Sequence, residues 1–113
     1  MEKNEALLLS LDELVFSTKA CVAYAPNQKC AGVFSVATDS RNVKSNGAFF
    51  PLLGEFQDGH TFIGKAVENG ASVIVADEKV WNSDKEKYLP IVENKATVVT
   101  VKNTLYALQA AAA

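Results

Sequence analysis

The stretch AFFPLLGEFQDGHTFIGKAVENGASVIVA, residues 48–76, decides the fold of this 113-residue chain. AFFPLL, 48–53, is almost continuously apolar, the pattern of a strand buried on both faces. Pro51 has no N–H for a ladder, so it marks an edge or an irregularity. A polar, glycine-bearing loop follows. Phe62, Ile63, Ala66 and Val67 then share one face of a helix over about 60–69, with Asp58 or Thr61 as its cap. Gly70 is placed to end that helix as its C′ residue. ASVIVA, 71–76, is a second buried strand. Strand, loop, helix, glycine and strand make a βαβ unit with a parallel pair and a right-handed crossover.

Upstream, Ser10 and Glu13 have capping-box spacing before a helix over 11–18. CVAYA, 21–25, reads as a strand, Pro26–Lys29 as a turn, and VFSVA, 33–37, as a strand with Val33 and Val36 in the core. Downstream, residues 78–90 read as a helix or a loop with helical turns, anchored by Trp81, Tyr88 and Leu89. ATVVTV, 96–101, is another strand. Asn103 caps a last helix carrying Leu105 and Leu108, and the chain reads as cut inside that helix. The fold class is α/β: a single domain with a small sheet, a βαβ unit and helices on its faces.

Composition narrows the function. Hydrophobic residues are 49% of the chain, which argues against disorder. Net charge is −2 and no basic block occurs, so nucleic acid is not expected as a partner. The LLLSL run near the start is too short to span a bilayer and lacks the flanks of a signal peptide, so no membrane association and a cytoplasmic location are expected. Cys21 and Cys30 read as reduced, inert thiols. With His60 the one histidine, a histidine-rich metal cluster is excluded.

Two polar loops bracket the 48–53 strand. In the first, Thr38 and Ser40 offer hydroxyls, Asp39 can hold the turn, and Arg41 carries a fork suited to phosphate or carboxylate. Asn46-Gly47 is a tight-turn signal. In the second, Gly54 lets backbone approach a ligand, Phe56 could stack on a flat ring, and Glu55 and Gln57 could read the edge of a base. Ligands of open α/β sheets sit beyond the carboxyl ends of strands, and helix N-termini offer amides to anions. Plainer roles stand beside these. Asp39 and Arg41 could simply brace their turn, Asp58 could only cap a helix, and His60 could be a surface or packing residue. Loops flanking one strand also lie at its opposite ends unless the Asn46-Gly47 bend brings the first back.

No G-x-x-x-x-G-K-[ST] loop, no G-x-G-x-x-G and no nucleophile–base–orienter set is present, so no catalytic residue is expected on this chain. The residues alone leave open a substrate-binding domain of a larger enzyme, a free-standing small-molecule or regulatory module, and a protein-interaction domain.

The spaced pattern TDSR, a glycine turn, an apolar strand, G-E-x-x-D-G-H-x-F-I, A-x-x-x-G-A and a valine-rich strand resembles the amino-terminal domain of the Mur ligases of peptidoglycan synthesis. VVTVKNTLYALQAAA resembles the segment leading to their central ATPase domain. The likeness covers about residues 33–112. GE-x-x-DGH-x-FI is more similar to the branch adding D-alanyl-D-alanine to UDP-MurNAc-tripeptide than to the branch adding a diamino acid to UDP-MurNAc-dipeptide. The resemblance implies that this domain holds the UDP end of UDP-MurNAc-peptide. Thr38 and Ser40 would contact the uridine, and Glu55, Phe56 and Gln57 would form the other wall. Asp39, Arg41, Gly54, Asp58, Gly59 and His60 would shape the loops. It further implies that ATP and magnesium act in the full-length ligase, where phosphorylation of the substrate carboxylate precedes amine attack. No cofactor is implied for this domain, whose partners would be the central and carboxy-terminal domains of the same polypeptide.

Overall fold

The computed structural model describes residues 11–25, 33, 35–52 and 59–112. Helix α1 (Leu11–Thr18) leads into β1 (Cys21–Tyr24), then β2 (Val36–Ala37) and β3 (Ala48–Phe49). Helix α2 (Ile63–Glu68), β4 (Val73–Asp77), α3 (Glu78–Val92), β5 (Thr97–Val101) and α4 (Thr104–Ala112) follow. The sheet order is β1-β5-β4-β3-β2. β2, β3, β4 and β5 run parallel, and β1 closes one edge antiparallel to β5.

The apolar runs have a simple physical reason. Successive strand residues point to opposite faces, and this sheet is covered on both. Phe49, Ile74, Ala76 and Val98 face one core with Ile63 and Ala66 of α2 and Trp81, Tyr88 and Val92 of α3. Phe50, Val73, Val75, Val99 and Val101 face the other, with Leu14 of α1 and Ala107 of α4. A strand between two such cores has no solvent side, so alternation vanishes from its sequence.

The β3–α2–β4 unit has the expected parallel pair, with Phe49 opposite Ile74. Its helix ends as the sequence predicts. Gly70 N–H donates to Val67 O and Ala71 N–H to Ala66 O, both at 3.0 Å. Together they form a Schellman closure, with Gly70 at φ +106°. The beginning differs. Residues Gly59–Phe62 wind as a 3-10 turn, and α2 proper starts after Phe62, which makes no side-chain cap bond. Thr61 therefore does not cap α2, and Asp58 lies outside the described residues. A 3-10 turn is a common opening of an α-helix, and it shifts the start of α2 proper to Ile63.

Other differences follow from pairing. Among the described residues of VFSVA, Val36–Ala37 form the ladder, while Val33 stands as an isolated, fully buried bridge. AFFPLL pairs over Ala48–Phe49, and Phe50 N–H still donates to Ala37 O at 2.9 Å before Pro51 ends the ladder. The segment read as helix or loop is one helix, α3, kinked at Asp84 and containing Pro90, with Trp81 stacked on Tyr88 at 6.1 Å. Asn103 Oδ1 accepts from Tyr106 N–H at 2.8 Å, the expected cap. On α4, Thr104 and Ala107 are the buried positions, Leu108 is half-buried and Leu105 is exposed. Ser10 and the turn at 26–29 lie outside the described residues. Among the described residues no helix is long and apolar enough to cross a membrane.

Candidate functional site

The first polar loop begins where β2 ends. Thr38 is exposed at that edge. Asp39 caps a short 3-10 turn, Ser40–Asn42, by accepting from Arg41 N–H at 2.9 Å. The Arg41 guanidinium folds back on the same carboxylate, with Nη2 to Oδ2 at 2.7 Å and Nε to Oδ1 at 3.1 Å. Asp39 and Arg41 thus brace the turn as a local pair. The side-chain hydrogen bonds from Arg41, then its backbone N–H, hold the Asp39 carboxyl down at about 2 against an ordinary 3.8. The same carboxylate raises Arg41 further.

That geometry makes a prediction. With the folded value below the unfolded one, the contribution of the pair is complete above about pH 4 and fades as pH falls through about 2. The Asp39 carboxyl carbon, followed by NMR, is expected to titrate near pH 2 and to return toward 3.8 in Arg41→Ala. A wild-type midpoint near 3.8 would show that the pair does not persist in solution. Because both side chains are open to water, little change in global stability is expected.

Ser40 is drawn inward. It is 5% exposed, and its carbonyl accepts from Asn69 Nδ2 at 2.8 Å at the end of α2. Among the described residues its hydroxyl has no hydrogen-bond partner. A buried hydroxyl left so is costly, and such groups are commonly completed by water or a ligand. The chain then crosses back through the turn Lys44–Gly47, where Asn46 takes φ +63° and Gly47 N–H donates to Lys44 O at 2.9 Å. A Cβ on Gly47 would lie 2.8 Å from Ser35 Oγ and 2.9 Å from Lys44 O, so this position requires glycine.

The second loop begins where β3 ends. Gly54, Glu55, Phe56, Gln57 and Asp58 lie outside the described residues, but both approaches to them are described. Gly59 N–H donates to Leu52 O at 2.9 Å, so the chain returns close to where it left. His60 is fully buried and its Nε2 accepts from Asp77 N–H at 3.0 Å. It is a packing residue, not a surface one.

Parallel pairing of β2 with β3 resolves how loops on either side of one strand share an edge. The first loop follows the carboxyl end of β2 and the second follows that of β3, and these ends lie side by side. The bend at Asn46-Gly47 serves the return to the start of β3. The helical segment 59–68 starts at Gly59 and His60, and Asn69 at its end holds Ser40 of the first loop. Sequence reading missed Asn69 and Asp77 as supports. Asn69 beside a terminating glycine looks like an ordinary helix end, and Asp77 works on His60 through its backbone, which carries no side-chain signal.

Residues 33–113 match the family described as "Mur ligase family, catalytic domain". The chain is similar to the UDP-N-acetylmuramoyl-L-alanyl-D-glutamate–2,6-diaminopimelate ligase of Clostridium tetani, 41% identical over 69% of this chain and 15% of that protein. It is similar to the UDP-N-acetylmuramoyl-tripeptide–D-alanyl-D-alanine ligase of Treponema pallidum, 33% identical over 91% of this chain and 22% of that protein. In fold it resembles the UDP-N-acetylmuramoylalanyl-D-glutamyl-2,6-diaminopimelate–D-alanyl-D-alanyl ligase of Acinetobacter baumannii. That likeness has a TM-score of 0.66 at 23% identity and covers 90% of this chain and 20% of that one. The chain therefore spans about 15% to 22% of these relatives' lengths. With the family match reaching from Val33 through both polar loops to the last helix, the chain belongs to the Mur ligase family.

Proposed function

We propose that this chain is the amino-terminal, UDP-binding domain of a cytoplasmic peptidoglycan-precursor amide ligase. The observation that carries this reading is Ser40, buried and held through its carbonyl by Asn69, with a hydroxyl that lacks a partner among the described residues. It stands in the TDSR turn of a family whose relatives are named for UDP-N-acetylmuramoyl substrates. Thr38 and Ser40 would contact the uridine, with Glu55, Phe56 and Gln57 opposite and Asp39, Arg41, Gly54, Asp58, Gly59 and His60 shaping the loops. Binding the remote UDP handle would let its binding energy orient the reacting carboxylate elsewhere on the enzyme.

We place neither ATP nor magnesium on this chain. It carries no G-x-x-x-x-G-K-[ST] sequence. Among the described residues no group of three His, Cys, Asp or Glu could hold a metal. Both would act in the other domains of the ligase. Addition of D-alanyl-D-alanine to UDP-MurNAc-tripeptide is the favoured reaction, because the relative so named aligns over 91% of this chain. The diamino-acid reaction is the second reading, favoured by the 41% identity to the diaminopimelate ligase.

Titration of the chain with UDP-MurNAc-tripeptide tests the site. Amide shifts are expected at 38–41 and 54–60, and Ser40→Ala is expected to weaken binding by roughly 5- to 10-fold, the value of one hydrogen bond of about 1 kcal/mol. Shifts confined elsewhere, or unchanged affinity in Ser40→Ala, would remove this pocket.

A further inference from the structure

Both peptide units that flank Ser40 are hydrogen-bonded. Ahead of it, Asp39 O accepts from Asn42 N–H at 2.9 Å. After it, Arg41 N–H donates to the Asp39 carboxylate at 2.9 Å, and the Ser40 carbonyl accepts from Asn69 Nδ2 at 2.8 Å. The other donor to that carbonyl, Val43 N–H, stands at 3.4 Å, long for a hydrogen bond. All of these bonds except the one from Asn69 lie within residues 39–43. They shape the turn, but they do not fix it to the rest of the domain. Among the described residues, the Asn69 bond is the only hydrogen bond that ties residues 39–42 to another element.

Asn69 stands at the end of α2, yet its side chain is not needed there. Asn69, Gly70 and Ala71 close the helix through their own N–H groups, which donate to Lys65 O, Val67 O and Ala66 O at 3.0 Å each. The half-buried amide is directed instead at a residue 29 positions upstream. The same return from α2 also holds the far end of the β2–β3 connection. Gly70 O accepts from Asn46 N–H and Gly47 O accepts from Ser72 N–H, both at 2.9 Å. Those two are backbone bonds that a change of side chain leaves in place. The tie at Ser40 depends on one side chain.

Ser40 is 5% exposed, with a hydroxyl that lacks a partner among the described residues. A serine oxygen stands one carbon from the backbone. Holding the peptides on both sides of its Cα therefore fixes where the oxygen can point, apart from one side-chain rotation. We infer that Asn69 is a positioning residue for the first polar loop. By holding the Ser40 carbonyl it keeps the Ser40 hydroxyl in place for the ligand, without itself touching the ligand. The inference rests on the reading of Ser40 as a substrate contact.

The test is a double-mutant cycle of Ser40→Ala and Asn69→Leu, read by calorimetric affinity for UDP-MurNAc-tripeptide. It is run at a temperature where circular dichroism shows every variant folded. Leucine is close to asparagine in shape and has no donor. Asn69→Leu is expected to weaken binding by roughly 3- to 10-fold in the wild-type background. In the Ser40→Ala background it is expected to cost less than about 2-fold, because the hydroxyl that it positions is gone. A merely structural role would cost the same factor in both backgrounds. If Asn69→Leu does not fold, Asn69→Ala takes its place in the cycle.

An Asn69→Leu chain that binds like wild type, while Ser40→Ala loses affinity, overturns the inference and leaves the reading of Ser40 standing. Equal losses in both backgrounds do the same. A Ser40→Ala chain with unchanged affinity, or a wild-type chain that does not bind, removes Ser40 as a substrate contact, and the inference falls with it.

Discussion

Phe49→Ala is expected to lower the thermal midpoint by roughly 12–20 °C, from a loss of about 3–5 kcal/mol at about 4 °C per kcal/mol for a domain this size. Phe49 is fully buried, opposite Ile74 on β4 and within the core under α2 and α3. Truncation removes the transfer free energy of a whole ring and leaves a cavity, because a sheet backbone on one side and two helices on the other cannot collapse into it. Against a total stability of about 5–15 kcal/mol, that loss removes much of the margin. Phe16, 86% exposed on α1, supplies the contrast: Phe16→Ala is expected to stay within about 0.5 kcal/mol of wild type. Thermal and urea melts of both variants decide the matter, and equal losses would mean that the packing around Phe49 is not that of the native chain.

Gly59→Ala is the second large effect. A Cβ there would sit 2.8 Å from Leu52 N, 2.9 Å from Leu52 O and 3.1 Å from Pro51 Cα. All three are backbone atoms, so no side chain can swing aside. The strand end and the loop return must move apart, stretching the Gly59–Leu52 hydrogen bond and pulling on the His60–Asp77 hydrogen bond beside it. Overpacking of about 1–3 kcal/mol and a lost hydrogen bond of about 1 kcal/mol together give a loss of about 2–4 kcal/mol. Affinity for UDP-MurNAc-tripeptide should fall with it, since the displaced segment is the candidate loop itself. Gly64→Ala is the control. It lies in α2, where a Cβ would meet only Ile91 side-chain carbons at 3.8 Å and 4.0 Å. There alanine should stabilise by up to about 1 kcal/mol through helix propensity. If both alanines behave alike in a melt, the close approach at Gly59 is not real.

Much of the fold was legible because its signals are local. The valine-rich runs at 71–76 and 96–101 report strands covered on both faces, and Gly70 and Asn103 mark helix ends by chemistry confined to a turn. Where reading slipped, a competing interaction won. The 3-10 winding of Gly59–Phe62 moved the start of α2 past Thr61. Strand pairing, not apolar character, set where β2 and β3 end. Leu105 looks like a core residue by type, but the buried stripe of α4 runs through Thr104 and Ala107.

The candidate site divides the same way. By itself the sequence determined the residue types of the two polar loops, the glycine turn between them and the family pattern, and it offered the brace between Asp39 and Arg41 as one of two readings, the one the structure shows. Only the tertiary structure decided that the carboxyl ends of β2 and β3, from which the two loops leave, lie side by side, because parallel pairing of β2 with β3 is a long-range choice that the βαβ unit does not dictate. It also decided which polar groups are held, and by what. Ser40 finds Asn69 across 29 residues and His60 finds Asp77 across 17. Such contacts exist only after the chain has closed those loops and buried both faces of the sheet, and a periodicity within one segment carries no record of them.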